Sequence, residues 1–404
     1  MVRNACPMSL DDIDLLDPAQ YADGPPHALF RRLRAEDPVH WHPERDGPGF
    51  WALTKYADVV QVSRDPATFS SHVGGTMIAD ALPPQLAMLR LMMLNMDAPQ
   101  HTKLRMLVNK GFTPSAVARL HERIGDLAGG IVDAVVPAGA CDFVADVAGE
   151  LPSCLIAELV GIPLDDGRRL YRLTERMHTT AQTPAERDDA EAAVMEMMSY
   201  SHALREAKRA RPGSDIASAL LAAEVDGEGL SDIEFDMFFM LLINAGGDTT
   251  RNLVAGGMLA LIEHPAERGR LRADLSLLPS AIEEMLRWVT PVVHFRRTAT
   301  RDVELRGRRI AAGDKVVVFY SSANRDEEWF AEPDRFDVAR TPNEHVAFGG
   351  GGAHFCLGAN LARLEIRAMF EQVLSRMSSL RLAGPVERLD SSFINGLRSM
   401  PVEW

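Results

Sequence analysis

One cysteine stands between four consecutive glycines and a helical pattern, in the run Phe348-Gly-Gly-Gly-Gly-Ala-His354-Phe-Cys356-Leu-Gly358-Ala-Asn-Leu-Ala-Arg363-Leu-Glu365. Four glycines give the backbone access to positive φ and let another body lie flat against it. The apolar spacing from Leu357 to Phe370 predicts an amphipathic helix with Cys356 at its mouth. A sulfur there meets amide N–H groups without intrahelical partners and the positive end of the helix dipole, so the thiolate is expected to be favoured. Such a sulfur suits a metal.

Three other uses of this segment compete. A phosphate cradle would need Gly-Lys-Ser/Thr after the glycines, and the residue entering the helix is Cys356 instead. A zinc site on His354 and Cys356 would want further thiolates, but Cys6, Cys141 and Cys154 form no Cys-x-x-Cys pair. A flexible linker around a structural thiol leaves unexplained why a helix starts at once. A single thiolate fits a metal that brings its other ligands in a ring, and that is haem.

The segment resembles the haem-binding loop of the cytochrome P-450 family, Phe-Gly-x-Gly-x-His/Arg-x-Cys-x-Gly. Gly350, Gly352, His354, Cys356 and Gly358 fall on the pattern, Phe348 lies one place early, and Gly349 stands where the aromatic residue is usual. The loop thus carries one extra glycine. The resemblance implies a mainly α fold with small β-sheets, haem b between a long distal helix and the proximal helix after the cysteine, and Cys356 as axial ligand of the iron. Phe348, Gly350 and Gly358 would then border the cofactor.

Composition agrees with an ordinary globular chain: 404 residues, 46% hydrophobic and 25% charged. No composition shift marks a linker, so residues 1–404 are read as one catalytic domain. No apolar run reaches the roughly 20 residues needed to cross a bilayer, and the N-terminus lacks a hydrophobic signal segment. Scattered cysteines suit a reducing compartment, so a cytoplasmic, monomeric protein is expected. The formal charge of −14 argues against general binding to nucleic acid or anionic membranes. Short β-like pieces are expected at 39–41, 49–54, 292–303 and 315–320, with helices punctuated by Pro and Gly elsewhere.

The longest helix is predicted from Ser231 to about His264, opened by a Ser231-x-x-Glu234 capping box and closed before Pro265. At its centre Ala245-Gly246-Gly247-Asp248-Thr249-Thr250 places two poor helix formers beside polar groups in what would be core. Close helix crossing at the glycines is one reading. The segment also resembles the family's oxygen-activating helix, which implies Thr249 as the alcohol and Asp248 as the acid. Splitting O2 takes two protons, and an alcohol fed by an acid and water can deliver them.

Glu284-Met-Leu-Arg287 puts a carboxylate and a guanidinium on one helical face. It matches the family's Glu-x-x-Arg, which implies a buried clamp closed by Arg335 of the Pro333-Asp334-Arg335-Phe336 segment. Haem propionates need cations, and His101, Arg105, Arg297 and His354 fall at the family's positions for them.

The resemblance implies a monooxygenase that inserts one atom of O2 into a C–H bond, with the thiolate favouring O–O cleavage. The alternative is a haem protein that binds ligands or uses or rearranges a peroxide without external electrons; an acid–alcohol pair favours the oxygenase. No flavin or iron–sulfur motif is present, so a separate ferredoxin and its reductase are implied, with electrons ultimately from NAD(P)H. Lys103, Lys110, Arg363 and Arg367 are candidate docking cations. Substrate contacts are expected from 71–94, 177–183, 240–246, 292–294 and 393–397, with Met77, Ile78, Met93, Ala245, Gly246, Val292, Val293 and Ile394 in the pocket. These residues suit a medium to large hydrophobic molecule. The extra glycine, Thr249-Thr-Arg-Asn252 and Ser322-Ala-Asn-Arg-Asp326 resemble the actinobacterial branch acting on steroids and methyl-branched lipids, with terpenoids and polyketide-type products as runners-up.

Overall fold

The computed structural model describes residues 9–10, 13–109, 112, 120–178, 183–225, 227–377 and 379–404. Cys6, Lys110 and positions 179–182 of the expected substrate contacts lie outside them. The long helix is Asp232–Glu263, about 48 Å at 1.5 Å per residue. Its start is fixed as expected: the Ser231 N–H donates to the Glu234 carboxylate at 2.9 Å, while the Glu234 N–H donates to the Ser231 hydroxyl at 3.4 Å. Pro265 opens the next helix and so ends this one.

Around this axis pack the helices Glu150–Val160, Leu164–His178, Pro184–Ala210, Leu278–Val289 and Ala359–Arg376. The mid-helix glycines allow two of these crossings. A Cβ on Gly246 would lie 2.6 Å from Ile156 Cδ1, and one on Gly247 would lie 2.8 Å from Tyr171 Cδ2. The crossing and the polar motif therefore occupy the same turn, and the glycines serve the packing.

The main sheet has five strands. Val39–His42 pairs antiparallel with Phe50–Leu53, which runs parallel to Lys315–Phe319; that strand pairs antiparallel with His294–Ala299, and Phe69–Ser70 closes the far edge. Just before His294, Val292 bridges to Ile394. Side chains alternate along such a chain, so Val292 faces one way and Val293 the other. Val293 is wholly buried and packs with Ile78, Phe50 and Phe319. No single helix among the described residues is long and apolar enough to cross a membrane.

Glu284 and Arg287 form a clamp with both side chains fully buried. Arg287 Nε and Nη2 each donate to the Glu284 carboxylate at 2.8 Å. The remaining guanidinium hydrogens reach the carbonyls of Asn324 (2.9 Å), Pro333 (2.8 Å) and Arg335 (3.2 Å). The expectation for the Arg335 side chain is corrected. Its guanidinium is about half exposed and pairs with Glu332 at 3.0 Å, and only its backbone carbonyl joins the cluster. The third charged member is Arg340, whose Nε donates to both Glu284 oxygens at 3.2 and 3.1 Å. The segment enters the cluster by its backbone and returns a side chain only after the turn at 337–340.

Candidate active site

A cavity of about 1210 Å³ lies between the middle of the long helix and the Cys356 loop. The loop is built by its glycines. Gly349, Gly351 and Gly352 have φ of 96°, 90° and 76°, the left-handed region that favours glycine. The body lying flat against them is the end of the helix Tyr56–Arg64, because a Cβ on Gly350 would stand 2.6 Å from the Ser63 hydroxyl and 2.9 Å from the Val59 carbonyl. Gly350 thus seats the loop on the end of that helix.

Other contacts hold the cysteine in place. The Cys356 N–H donates to the Phe348 carbonyl at 3.0 Å. Arg105 donates to the carbonyls of Ala353 (2.9 Å) and Phe355 (2.5 Å). Arg363 lies over the Phe348 ring, 4.7 Å from its centroid, and grips Glu283 at 2.6 and 2.7 Å. Burial pushes the Glu283 carboxyl up, but hydrogen bonds from Arg363 and His345 prevail and hold it at about 2.

The helix after the cysteine begins at Ala359, two residues later than the spacing predicts, with Gly358 as its cap. Burial pushes the Cys356 thiol up, while the Gly358 amide, Arg105 and Arg363 pull it the other way.

On the opposite wall the Thr249 hydroxyl donates to the Ala245 carbonyl one turn earlier, at 2.8 Å. That bond fixes the rotamer of the hydroxyl, and Thr249 lines the cavity. Asp248 is buried and lies 3.5 Å from the guanidinium of Arg251, itself seated over the Tyr171 ring.

The four expected cations meet in this cavity. The His101 and His354 rings are 4.2 Å apart, Arg105 follows His101 by one turn, and Arg297 donates to the Arg296 carbonyl at 2.8 Å. His354 is pushed down to about 3 by burial and then by Arg297, His101 and Arg105. No ion pair joins any of the four to a carboxylate among the described residues. Asp97 is the nearest acid acting on His101, and it is taken up by the Ser70 hydroxyl and the Ser71 N–H. With both imidazoles pushed down by burial, the uncompensated positive charge of this pocket is that of Arg105 and Arg297, and the two rings add neutral donors.

Met77, Met93, Ala245, Gly246, Val292 and Ile394 line the cavity as expected. Ile78 and Val293 do not: both belong to a separate core cluster with Phe50, Val317 and Phe319, Val293 because it alternates with the cavity-facing Val292 and Ile78 because a bend turns it inwards. Sequence reasoning missed Leu155, Ile156 and Leu159, which contribute a wall from the helix Glu150–Val160; their signal was the short apolar run Cys154-Leu-Ile-Ala157. It also missed Glu365, an acid on the apolar stripe of the proximal helix. The docking cations are engaged: Lys103 with Glu228 (2.8 Å), Arg363 with Glu283 and Arg367 with Glu371 (2.8 Å).

Comparison with known proteins decides what this arrangement belongs to. The family model "Cytochrome P450" matches residues 189–390. The steroid C26-monooxygenase of Mycobacterium tuberculosis is 41% identical over 404 residues, covering 97% of this chain and 92% of the relative. The chain is a cytochrome P450. A methyl-branched lipid omega-hydroxylase of the same species is 43% identical over 387 residues, covering 93% and 90%. The structure of Mycobacterium marinum cytochrome P450 CYP268A2 in complex with pseudoionone matches with a TM-score of 0.92 and 40% identity, covering 99% of this chain and 100% of that one.

This P450 is accordingly a monooxygenase with haem iron as cofactor and O2 as co-substrate. Its own residues fit that cofactor. A cysteine sulfur opens into a cavity of sufficient size, the cation cluster lacks a carboxylate partner where two propionates would supply charge, and the wall facing the sulfur is a helix surface carrying a hydroxyl.

Proposed function

We propose that this P450 hydroxylates, or similarly oxidises, a medium to large apolar molecule of the steroid or methyl-branched lipid type, as one catalytic domain. The observation that carries this reading is the placement of Cys356 and Thr249 on opposite walls of one mostly apolar cavity. Bound haem would supply the activation of O2. Cys356 would hold its iron, and His101, Arg105, Arg297 and His354 its carboxylates. Met77, Met93, Val292 and Ile394 offer an adaptable apolar surface that orients the substrate and excludes water from it.

Thr249 would present its hydroxyl to the reacting oxygen and pass on a proton received from Asp248 through water. Electrons would come from NAD(P)H through a ferredoxin reductase and a ferredoxin. The named activities of the two relatives on steroids and methyl-branched lipids support the choice of substrate class. The test titrates holoenzyme with steroids, branched-chain lipids and terpenes, following the haem spin state, then measures products by mass spectrometry with ferredoxin and reductase. Micromolar binding with oxidation of a steroid or branched lipid supports the reading. Oxidation confined to small polar molecules contradicts it. Thr249→Ala should bind the same ligand and divert electrons to hydrogen peroxide; unchanged coupling removes Thr249 from the mechanism.

A further inference from the structure

The hairpin 387–399 carries a cation without an acid. Its arms are the strands Glu387–Arg388 and Leu397–Ser399. Glu387 pairs with Ser399 and Arg388 with Leu397, so Arg398 is skipped by the register and is the extra residue of a β-bulge. Bulges kink a strand and re-aim one side chain. The residues on either side are tied down: the Leu397 N–H donates to Asn252 Oδ1 at 3.3 Å, and the Ser399 hydroxyl donates to the Asp142 carboxylate at 2.5 Å. Arg398 therefore stands on a fixed backbone with its own side chain exposed.

Arg398 lines the cavity, as do Leu389, Phe393 and Ile394 of the same hairpin. The other cations of the wall already have a place. Arg251 faces Asp248, and His101, Arg105, Arg297 and His354 form the cluster that suits the cofactor's carboxylates. Four acids line the cavity among the described residues, with Asp248 and Glu365 buried and Glu186 and Asp390 exposed. No ion pair joins any of them to Arg398. A guanidinium keeps its charge at every working pH and presents a planar fork that matches the two oxygens of a carboxylate. An arginine kept only for solubility gains nothing from a bulge that sets it on the wall of an otherwise mostly apolar cavity.

We propose that Arg398 determines specificity by binding the carboxylate of an apolar acid, so that the preferred ligand is a methyl-branched fatty acid in its ionised form. The apolar wall, with Met77, Met93, Val292 and Ile394, takes the chain, and Arg398 takes the head group. Such an acid is ionised at neutral pH, and one charge-assisted hydrogen bond to it is worth about tenfold or more in affinity. Holding one end of a flexible chain also limits which of its carbons can reach the reacting oxygen. The proposal rests on the reading of this cavity as a site for lipids.

The test titrates holoenzyme at neutral pH with a matched pair, 15-methylhexadecanoic acid and its methyl ester, following the haem spin state, and repeats both titrations with Arg398→Gln. The pair differs only in the charge of the head group. Wild type should bind the acid about tenfold more tightly than the ester, and that preference should shrink as salt is raised. In R398Q the ratio of the two affinities should fall to about one, with the thermal midpoint unmoved because the side chain is exposed. Equal binding of acid and ester by wild type overturns the proposal and leaves the cavity a lipid site. So does an R398Q protein that keeps the wild-type ratio, including one in which both affinities fall together, since that marks a hairpin contact rather than a charge. If neither lipid shifts the spin state, the lipid reading falls and takes the proposal with it.

Discussion

Two polar clusters of the molecule, one around Glu284 and one in the cavity, differ in charge balance. Around Glu284, one carboxylate receives Arg287 and Arg340, the Asn343 amide (3.1 Å) and the Asp337 N–H (2.9 Å), while Arg287 spends its remaining donors on carbonyls. Around the cavity, His101, Arg105, Arg297 and His354 crowd together with no ion-paired carboxylate among the described residues. A saturated cluster has nothing left to bind a ligand with, and its purpose is to fix backbone. An unbalanced cluster remains costly until an anion arrives. Satisfaction of partners, more than the count of charges, separates a structural cluster from a binding one.

The largest effect should come from opening the saturated cluster. Glu284→Ala leaves the fully buried Arg287 guanidinium, and the partly buried Arg340 beside it, without their acid and should cost about 3–5 kcal/mol, seen as failure to accumulate folded holoprotein or as a large drop in thermal midpoint. Arg340→Ala should fall in the same direction by less, since its side chain is partly exposed. Removing a member of the unbalanced cluster should act on the cofactor instead. Arg297→Ala should fold, with equal or better stability when cofactor-free, yet bind haem about tenfold or more weakly, the worth of one charge-assisted hydrogen bond. A haem titration of the cofactor-free protein checks it, and unchanged affinity would erase the distinction between the clusters.

Val292 and Val293 sharpen the same distinction at the sheet. Val293→Ala should cost about 2 kcal/mol of stability with ligand affinity preserved, whereas Val292→Ala should change ligand affinity and leave the thermal midpoint nearly unmoved. The pH dependence of stability supplies another contrast. Burial alone lowers His294 to about 3, so the unfolded chain binds the proton more readily between its ordinary pKa of about 6.5 and that value. Stability must therefore fall as pH drops from about 6.5 towards 3, and His294→Phe should flatten part of that slope in chemical denaturation curves. Arg335→Ala should have the smallest effect, within about 0.5 kcal/mol, because the guanidinium lies outside the cluster its carbonyl serves.

Much of this was legible in the sequence where local chemistry decides the outcome. The capping box at Ser231, the stop at Pro265 and the glycines before Cys356 each act within a few residues, and each element appears where they put it. What escaped depends on groups far apart in the chain. That Gly350 rests on Ser63, that Phe50–Leu53 pairs with Lys315–Phe319, and that Arg340 replaces Arg335 at Glu284 are facts of tertiary approach that spacing does not encode. Val293 was misplaced for a simpler reason: adjacent residues of extended chain face opposite ways, and composition carries no register.

The central claim is that Cys356 presents its sulfur to haem iron in this cavity. Carbon monoxide added to the reduced holoprotein tests it most directly, with Cys356→Ser measured in parallel. The account predicts a strongly red-shifted Soret band in the parent and its loss in the variant. A folded, haem-loaded parent without that band, or a variant that keeps it, would contradict the account.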